Sequence, residues 1–115
     1  MFKIVPDPTF TSPVKIPVHG GEDQEVVFIF KHKDEEQLDE FYKKLELLSK
    51  KKPRTIKGVV ARDAEILMEF TAGWQDVDAE FSKDSLATFL SNYKAAGKRI
   101  LDAWEKEIHQ APIKN

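Results

Sequence analysis

Three absences narrow what this chain can be. It contains no cysteine, so disulfide bonds and thiolate metal sites are excluded. Its 18 basic and 20 acidic residues leave a formal net charge of −2, without the positive excess that nucleic-acid-binding domains show. No segment approaches the roughly 20 apolar residues of a membrane-spanning helix, and residues 1–6 lack the apolar run of a secretory signal. We therefore expect a soluble, intracellular protein with no affinity for nucleic acid or membranes.

The composition nevertheless supplies the material for a hydrophobic core. Apolar residues make up 41% of the 115 residues, including eight Phe and two Trp. A chain of this length is expected to form one domain, and folding at this size buries about 65% of the surface of the unfolded chain. We expect a single domain over residues 1–115 that needs neither disulfide bonds nor a metal to fold.

The N-terminal part of the chain has the pattern of extended structure. Three prolines remove backbone donors in the first 13 residues, which predicts an extended arm over residues 1–13. Alternating apolar residues after the arm predict a strand, and a pair of glycines predicts a turn. The run over residues 26–30 is β-branched or aromatic on both faces, which is typical of a strand covered on both sides. A β-hairpin or small antiparallel sheet is therefore expected over residues 14–31.

Helical periodicity dominates the rest of the chain, over residues 34–110. Asp34 followed by Gln37 predicts a capping box at the start of the first helix, which must end before Pro53. Apolar residues at helical spacing predict a second helix over residues 59–72.

Two further helices complete the predicted fold. Gly73 is expected to stop the second helix, and Ser82 to cap the third. A fourth apolar pattern begins near Lys94, and the chain either breaks near Tyr93 or continues there as one bent helix. Residues 111–115 are expected to be a tail. The pattern predicts an α+β fold, in which an N-terminal antiparallel hairpin or small sheet is followed by about four helices.

The segment between the second and third predicted helices is the most informative one. Ten residues, Gly73 to Ser82, place a Trp, a Val and a Phe among three carboxylates. This pattern is typical of either a packed corner or a protein-binding elbow, so Trp74 is either a core plug or an exposed anchor. Trp104 is likewise either a core residue or a dimer contact. The candidate protein contacts are Trp74, Val77, Phe81, Tyr93 and Trp104.

Other constellations do not complete a catalytic or metal site. Asp76, Asp78 and Glu80 alternate as calcium ligands do, but the loop template requires Gly and a carboxylate where Phe81 and Ala87 stand. The three histidines lack ligand spacing, and the serines lack a nucleophile-elbow motif. The basic run Lys50 to Arg54 has no interleaved aromatic residue, as single-stranded nucleic-acid binding would require. We expect no metal, no cofactor and no enzymatic activity.

Several short motifs along the chain have a characteristic order and spacing. They are residues 2–6, 8–10, 13–17, 26–31, 73–74, 77–78 and 80–82, and the series Leu86, Leu90, Tyr93, Ala96, Ile100 and Ala103. In these motifs the chain resembles the family of small tail assembly chaperones of tailed bacteriophages and prophages. It departs from the family pattern at Lys94, because a proline commonly follows the tyrosine there.

The resemblance implies a non-enzymatic function. Such chaperones bind the tape measure protein, a long, helical and apolar chain, and keep it soluble until tail tube subunits polymerise around it. Tube subunits are then a further partner, and homo-oligomerisation stays open. The implied location is the cytoplasm of the host bacterium.

An alternative from another class is a small DNA-binding phage regulator. In this interpretation the elbow between the second and third helices is a helix-turn-helix. The ten residues from Gly73 to Ser82 exceed the usual turn of about three or four residues, which argues against it.

Overall fold

The computed structural model describes residues 1–110, and the predicted tail over residues 111–115 lies outside the described residues. The fold is α+β, as the sequence predicted, with one small antiparallel sheet and four helices in the described part of the chain. The elements, in chain order, are β1 (Thr9–Ile16), β2 (Gln24–Lys31), α1 (Glu35–Ser49), α2 (Ile56–Met68), β3 (Thr71–Gln75), α3 (Lys83–Asn92) and α4 (Ala96–His109).

The sheet has the order β1-β2-β3, and β2 pairs antiparallel with both neighbours. β1 begins at Thr9, so the predicted arm over residues 1–13 was too long and the hairpin starts before residue 14. Pro13 lies inside β1, opposite Val27. Proline is tolerated in a strand at the edge of a sheet, such as β1, because the backbone N–H groups on its outer side have no ladder partner.

β3 is the main departure from the predicted elements. The helix expected over residues 59–72 instead runs from Ile56 to Met68, and Gly73 does not end it. Gly73 lies in β3 opposite Ile29, and a Cβ atom added to it would lie 3.3 Å from Cδ1 of Ile29. The glycine therefore lets β3 approach β2 closely, which is a role in the sheet and not in a helix cap.

The predicted helix starts agree better with the structure. Asp34 and Gln37 form the expected capping box, with hydrogen bonds of 2.8 and 3.0 Å, and Ser82 caps α3. Of the two alternatives near residue 93, the structure has the break. Tyr93 is extended, with φ −124° and ψ 94°, and separates α3 from α4.

The core lies on one face of the sheet, where Phe28 and Phe30 of β2 are fully buried. Phe70 stacks on Trp104 with ring centroids 4.5 Å apart, and the indole nitrogen of Trp104 donates to the carbonyl of Lys31 at 3.0 Å. This hydrogen bond ties α4 to the end of β2, which fixes the helical layer on the sheet. Other fully buried members are Ala64, Leu86, Ala96 and Ile100.

The opposite face of β2 is more open than the sequence predicted. Val27 and Ile29 alternate with the buried phenylalanines, but they are only half-buried and are not part of the core. The expectation of a strand covered on both faces was therefore wrong for this face. No helix within residues 1–110 is long and apolar enough to cross a bilayer.

Candidate protein-binding site

The helices leave an open groove of about 550 Å³ between them. Side chains from all four helices line it, and most of them are aliphatic. We call it the helix groove. Its apolar lining consists of Leu45, Ile56, Val60, Ile66, Leu67, Leu90 and Leu101, with Gly97 in its wall, and its polar lining consists of Asp63, Ser91, Lys94 and Lys98.

The apolar lining ranges from buried to almost fully exposed. Leu67 and Leu90 are 3% and 8% exposed and belong to the core. Ile56, the first residue of α2, is 83% exposed and lines the same groove. Because α2 turns once every 3.6 residues, Ile56, Val60 and Leu67 lie on one side of the helix. The groove therefore extends the core outward along α2 to solvent.

Gly97 keeps one wall of the groove open. It lies in the first turn of α4, where any other residue would project a side chain. A Cβ atom added there would lie 3.7 Å from Cδ2 of Leu90, which is an ordinary van der Waals contact. An alanine at this position therefore fits, whereas a larger side chain has to occupy the groove.

The charged side chains that line the helix groove do not all have a partner of opposite charge within the described residues. The carboxylate of Asp63 pairs with Arg62 at 3.2 Å, and Lys98 pairs with Asp102 at 2.8 Å. Lys94 forms no ion pair with a carboxylate of residues 1–110. The wall formed by Lys94 and Lys98 consequently carries a net positive charge.

The basic run noted in the sequence leads into the same groove. Residues 50–52 and Arg54 precede Thr55, the N-cap of α2, and Ile56 follows it. Nη1 of Arg62 donates to the carbonyl of Lys51 at 2.9 Å, which holds this segment against α2. Positive charge is therefore also concentrated in the segment that directly precedes Ile56, at the exposed end of the helix groove.

A second cavity of about 470 Å³ lies beside β3 and α3. We call it the Trp74 pocket. Its lining mixes apolar and polar side chains and consists of His19, Trp74, Val77, Asp78, Ala79, Ser85, Thr88, Phe89, Asn92 and Tyr93. Asp76, with φ 55°, makes the left-handed turn that sends the chain from β3 along this pocket.

Trp74 combines the two roles that the sequence left open. Its ring packs edge-on against Phe28, Phe81 and Phe89, at centroid distances of 6.2, 5.1 and 5.7 Å. Its indole nitrogen donates to the carbonyl of Ala79 at 2.8 Å. One side of the half-buried ring therefore fills the corner, while the other side lines the pocket.

The structure brings three of the five candidate contacts together. Trp74, Val77 and Tyr93 line the Trp74 pocket, whereas Phe81 packs against Trp74 and is not part of the lining. Trp104 is fully buried in the core, which is the first of the two roles that the sequence left open for it. Its ring faces inward because α4 packs that side against Phe41 and Phe70.

The structure also removes the basis of the helix-turn-helix alternative. β3 lies between α2 and α3 and pairs with β2, so the two helices are not joined by a short turn. A helix-turn-helix needs a connection of about three or four residues.

The sequence did not reveal the helix groove. Its lining comes from segments as far apart as Leu45 and Leu101, and their proximity depends on how the helices pack. One local signal was present, because α2 is apolar over more than one stripe, at Val59, Val60 and Ile66. An apolar stripe that is wider than packing against one neighbouring element requires indicates that the helix has a further contact surface.

Titratable groups with a shifted pKa lie elsewhere. Burial lowers the pKa of Lys33 and raises that of Tyr42, and the hydrogen bond that Lys43 donates to Asp39 raises the pKa of Lys43. None of these three lines the helix groove or the Trp74 pocket. Within residues 1–110, no three His, Asp or Glu side chains are grouped so that they could hold a metal ion. The chemistry of both sites is apolar contact bordered by charge.

A small α+β domain with an open apolar groove between its helices is suited to binding apolar polypeptide segments. The sequence model of the phage tail assembly chaperone family matches residues 1–115, so the chain belongs to this family. Comparison with curated proteins and with solved structures gave no match. Family membership assigns the protein a role in phage tail assembly within the host cell and suggests that this role is non-enzymatic.

Proposed function

We propose that this protein binds the tape measure protein of its phage in the host cytoplasm and keeps it soluble during tail assembly. Family membership supports a role in tail assembly. The helix groove is the observation that carries the proposal, because grooves between helices accept the apolar face of an amphipathic client helix. The family resemblance implies such a client, since tape measure proteins are long, helical and apolar.

The graded exposure of the groove suits a chaperone. Leu67 and Leu90 offer a preformed floor, and Ile56 extends it to the surface. A client must find accessible apolar surface, but a large exposed patch would make the chaperone itself aggregate. Charged residues make up 33% of the chain, and they favour solubility of the complex.

The Trp74 pocket is proposed as a second contact for tail proteins, including tail tube subunits. Trp74, Val77 and Tyr93 line it, and Tyr93 is 37% exposed. Trp and Tyr are enriched among the residues that dominate binding energy at protein interfaces. Phe81 contributes by holding the Trp74 ring in place, with their centroids 5.1 Å apart.

Co-expression with the tape measure gene of the same phage tests the proposal. The affinity-tagged wild-type protein should keep the tape measure protein in the soluble fraction and co-purify with it. Gly97→Phe places a ring in the helix groove and should abolish both effects, whereas Gly97→Ala, which fits against Leu90, should preserve them.

Circular dichroism and thermal unfolding of both variants provide the folding control. A tape measure protein that stays insoluble beside the wild-type chaperone would refute the proposed function. Co-purification that is equally strong with folded Gly97→Phe would refute the assignment to the groove.

A further inference from the structure

We infer that the helix groove takes an amphipathic helix with acidic residues along the flank that faces Lys94 and Lys98. The inference rests on the proposed function and specifies which kind of client segment the groove selects. It is carried by the shape of the apolar lining and by the distribution of charge around it.

The geometry favours a helix as the occupant. The lining is built from helices, so the groove presents no strand edge to which an extended peptide could add. From Ile56 to Leu67 the lining follows α2 for about 16 Å, at about 1.5 Å per residue. An occupant of about three helical turns covers this length, with apolar residues at i, i+3, i+4 and i+7.

The charges set the chemistry of the occupant's flank. On the α4 side, Lys98 forms an ion pair with Asp102 at 2.8 Å, whereas Lys94, one turn earlier, has no carboxylate partner within residues 1–110 and leaves this wall with a positive excess. On the α2 side, Asp63 is the acidic residue of the lining, and its ion pair with Arg62 offsets its charge. The positive excess is local, because the whole chain has a net charge of −2.

The exposed end of the groove adds to this excess. The segment held against α2 by Arg62 carries Lys50, Lys51 and Lys52, and within residues 1–110 only Lys50 pairs with a carboxylate, that of Glu46 at 3.5 Å. An occupant with basic flanks would place like charges together, which interfaces avoid because it is costly. Acidic residues on the client's flank therefore complement the wall formed by Lys94 and Lys98.

Two synthetic peptides test this recognition chemistry directly. Both have about 21 residues, long enough for helix formation, and both carry the same leucine stripe and a fluorescein label. One has glutamates beside the stripe and the other has lysines. Fluorescence anisotropy should show the wild-type protein binding the glutamate peptide about tenfold more tightly at low salt, with a preference that shrinks above 0.5 M NaCl.

Charge reversal at the groove should invert the preference. Lys94→Glu with Lys98→Glu is expected to bind the lysine peptide more tightly than the glutamate peptide. Lys83→Glu with Lys106→Glu makes the same change in net charge at two exposed positions outside the lining, and should retain the wild-type preference. Folded Gly97→Phe should bind neither peptide, and Ile56→Glu, at an exposed position, provides a second groove variant.

Several outcomes would overturn the inference. They are equal binding of the two peptides, a preference that survives reversal at Lys94 and Lys98, and peptide binding by folded Gly97→Phe. Dimerisation of the free protein that Gly97→Phe abolishes would assign the groove to a second copy of the chain.

The two proposals fail separately. Tape measure co-purification without a charge preference rejects the acidic flank alone. A charge-selective groove in a protein that never retains the tape measure protein rejects the proposed client instead.

Discussion

Ile56 is the residue at which binding can be separated most cleanly from folding. Its side chain is 83% exposed at the first position of α2, yet it lines the helix groove. An acidic residue in the first turn of a helix interacts favourably with the helix dipole. Ile56→Glu should therefore leave the melting temperature unchanged or slightly raised, while weakening tape measure co-purification several-fold.

Leu47→Glu is the matched control for this prediction. Leu47 is 66% exposed on α1 and is not part of the groove lining. Quantified pull-downs of both variants, with thermal unfolding beside them, make the comparison. If Leu47→Glu weakens client binding as much as Ile56→Glu does, the effect comes from surface hydrophobicity in general and not from the groove.

The two tryptophans show what residue type alone can predict. Trp74 was expected in the segment between two helices and Trp104 on the face of the last helix, and the sequence left a core role and a contact role open for each. The structure buries Trp104 completely, whereas Trp74 is half-buried beside a pocket. The difference depends on neighbours that are distant in sequence, such as Phe28 and Phe41. Periodicity placed Trp104 on a helix face and Trp74 in a loop, but it did not predict how much of either side chain would remain accessible.

At the scale of elements, the sequence predicted helix starts well where the interactions that fix them join residues close together in the chain. The capping box of α1 and the cap of α3 involve residues three apart, so the sequence contains the whole interaction. β3 was missed because its stabilisation is not local. Thr71 to Gln75 become a strand through hydrogen bonds to β2, more than 40 residues earlier in the chain. The apolar spacing of Leu67 and Phe70 meanwhile imitated a longer helix.

A single hydrogen bond between α1 and α4 provides a test at this scale. The Tyr42 hydroxyl and Nε2 of His109 are 2.8 Å apart, and the two rings are stacked within 6°. Tyr42→Phe retains the stacking and loses the hydrogen bond. Chemical denaturation at pH 7 should show a free energy of unfolding lower by about 0.5–1.5 kcal/mol, toward the lower end because the pair is partly exposed.

The pH dependence of this difference has a definite sign. Burial, with a smaller contribution from Glu105, raises the pKa of Tyr42 in the folded protein. The unfolded chain therefore ionises first as the pH rises above about 10, which lowers the stability of the wild type. The advantage over Tyr42→Phe should accordingly be full below pH 10 and shrink at higher pH. A gap that widens in alkaline solution would contradict the assignment.

At the scale of the whole molecule, sequence patterns predicted the fold class and three residues of the Trp74 pocket, but not the helix groove. The hairpin, four helices and a mixed architecture follow from periodicity and breakers within each segment. The helix groove is different, because it exists only where α1, α2, α3 and α4 fail to close completely over one another. Such a gap depends on the relative placement of elements and on small details, such as the missing side chain of Gly97.

The N-terminal arm allows a test of how far the folded unit extends. Phe2, Ile4 and Val5 are 92%, 94% and 74% exposed, so their removal uncovers no core. The carbonyl of Pro8, in contrast, accepts a hydrogen bond from the amide of His32 at 2.9 Å and joins the arm to the end of β2. Deleting residues 2–6 should leave the melting temperature within about 2 °C of wild type. Deleting residues 2–8 should lower it by several degrees, as expected for the loss of about 1 kcal/mol. Calorimetry of the two truncated proteins measures both melting temperatures. An equal decrease in melting temperature in both would mean that the exposed residues of the arm stabilise the fold through contacts of their own.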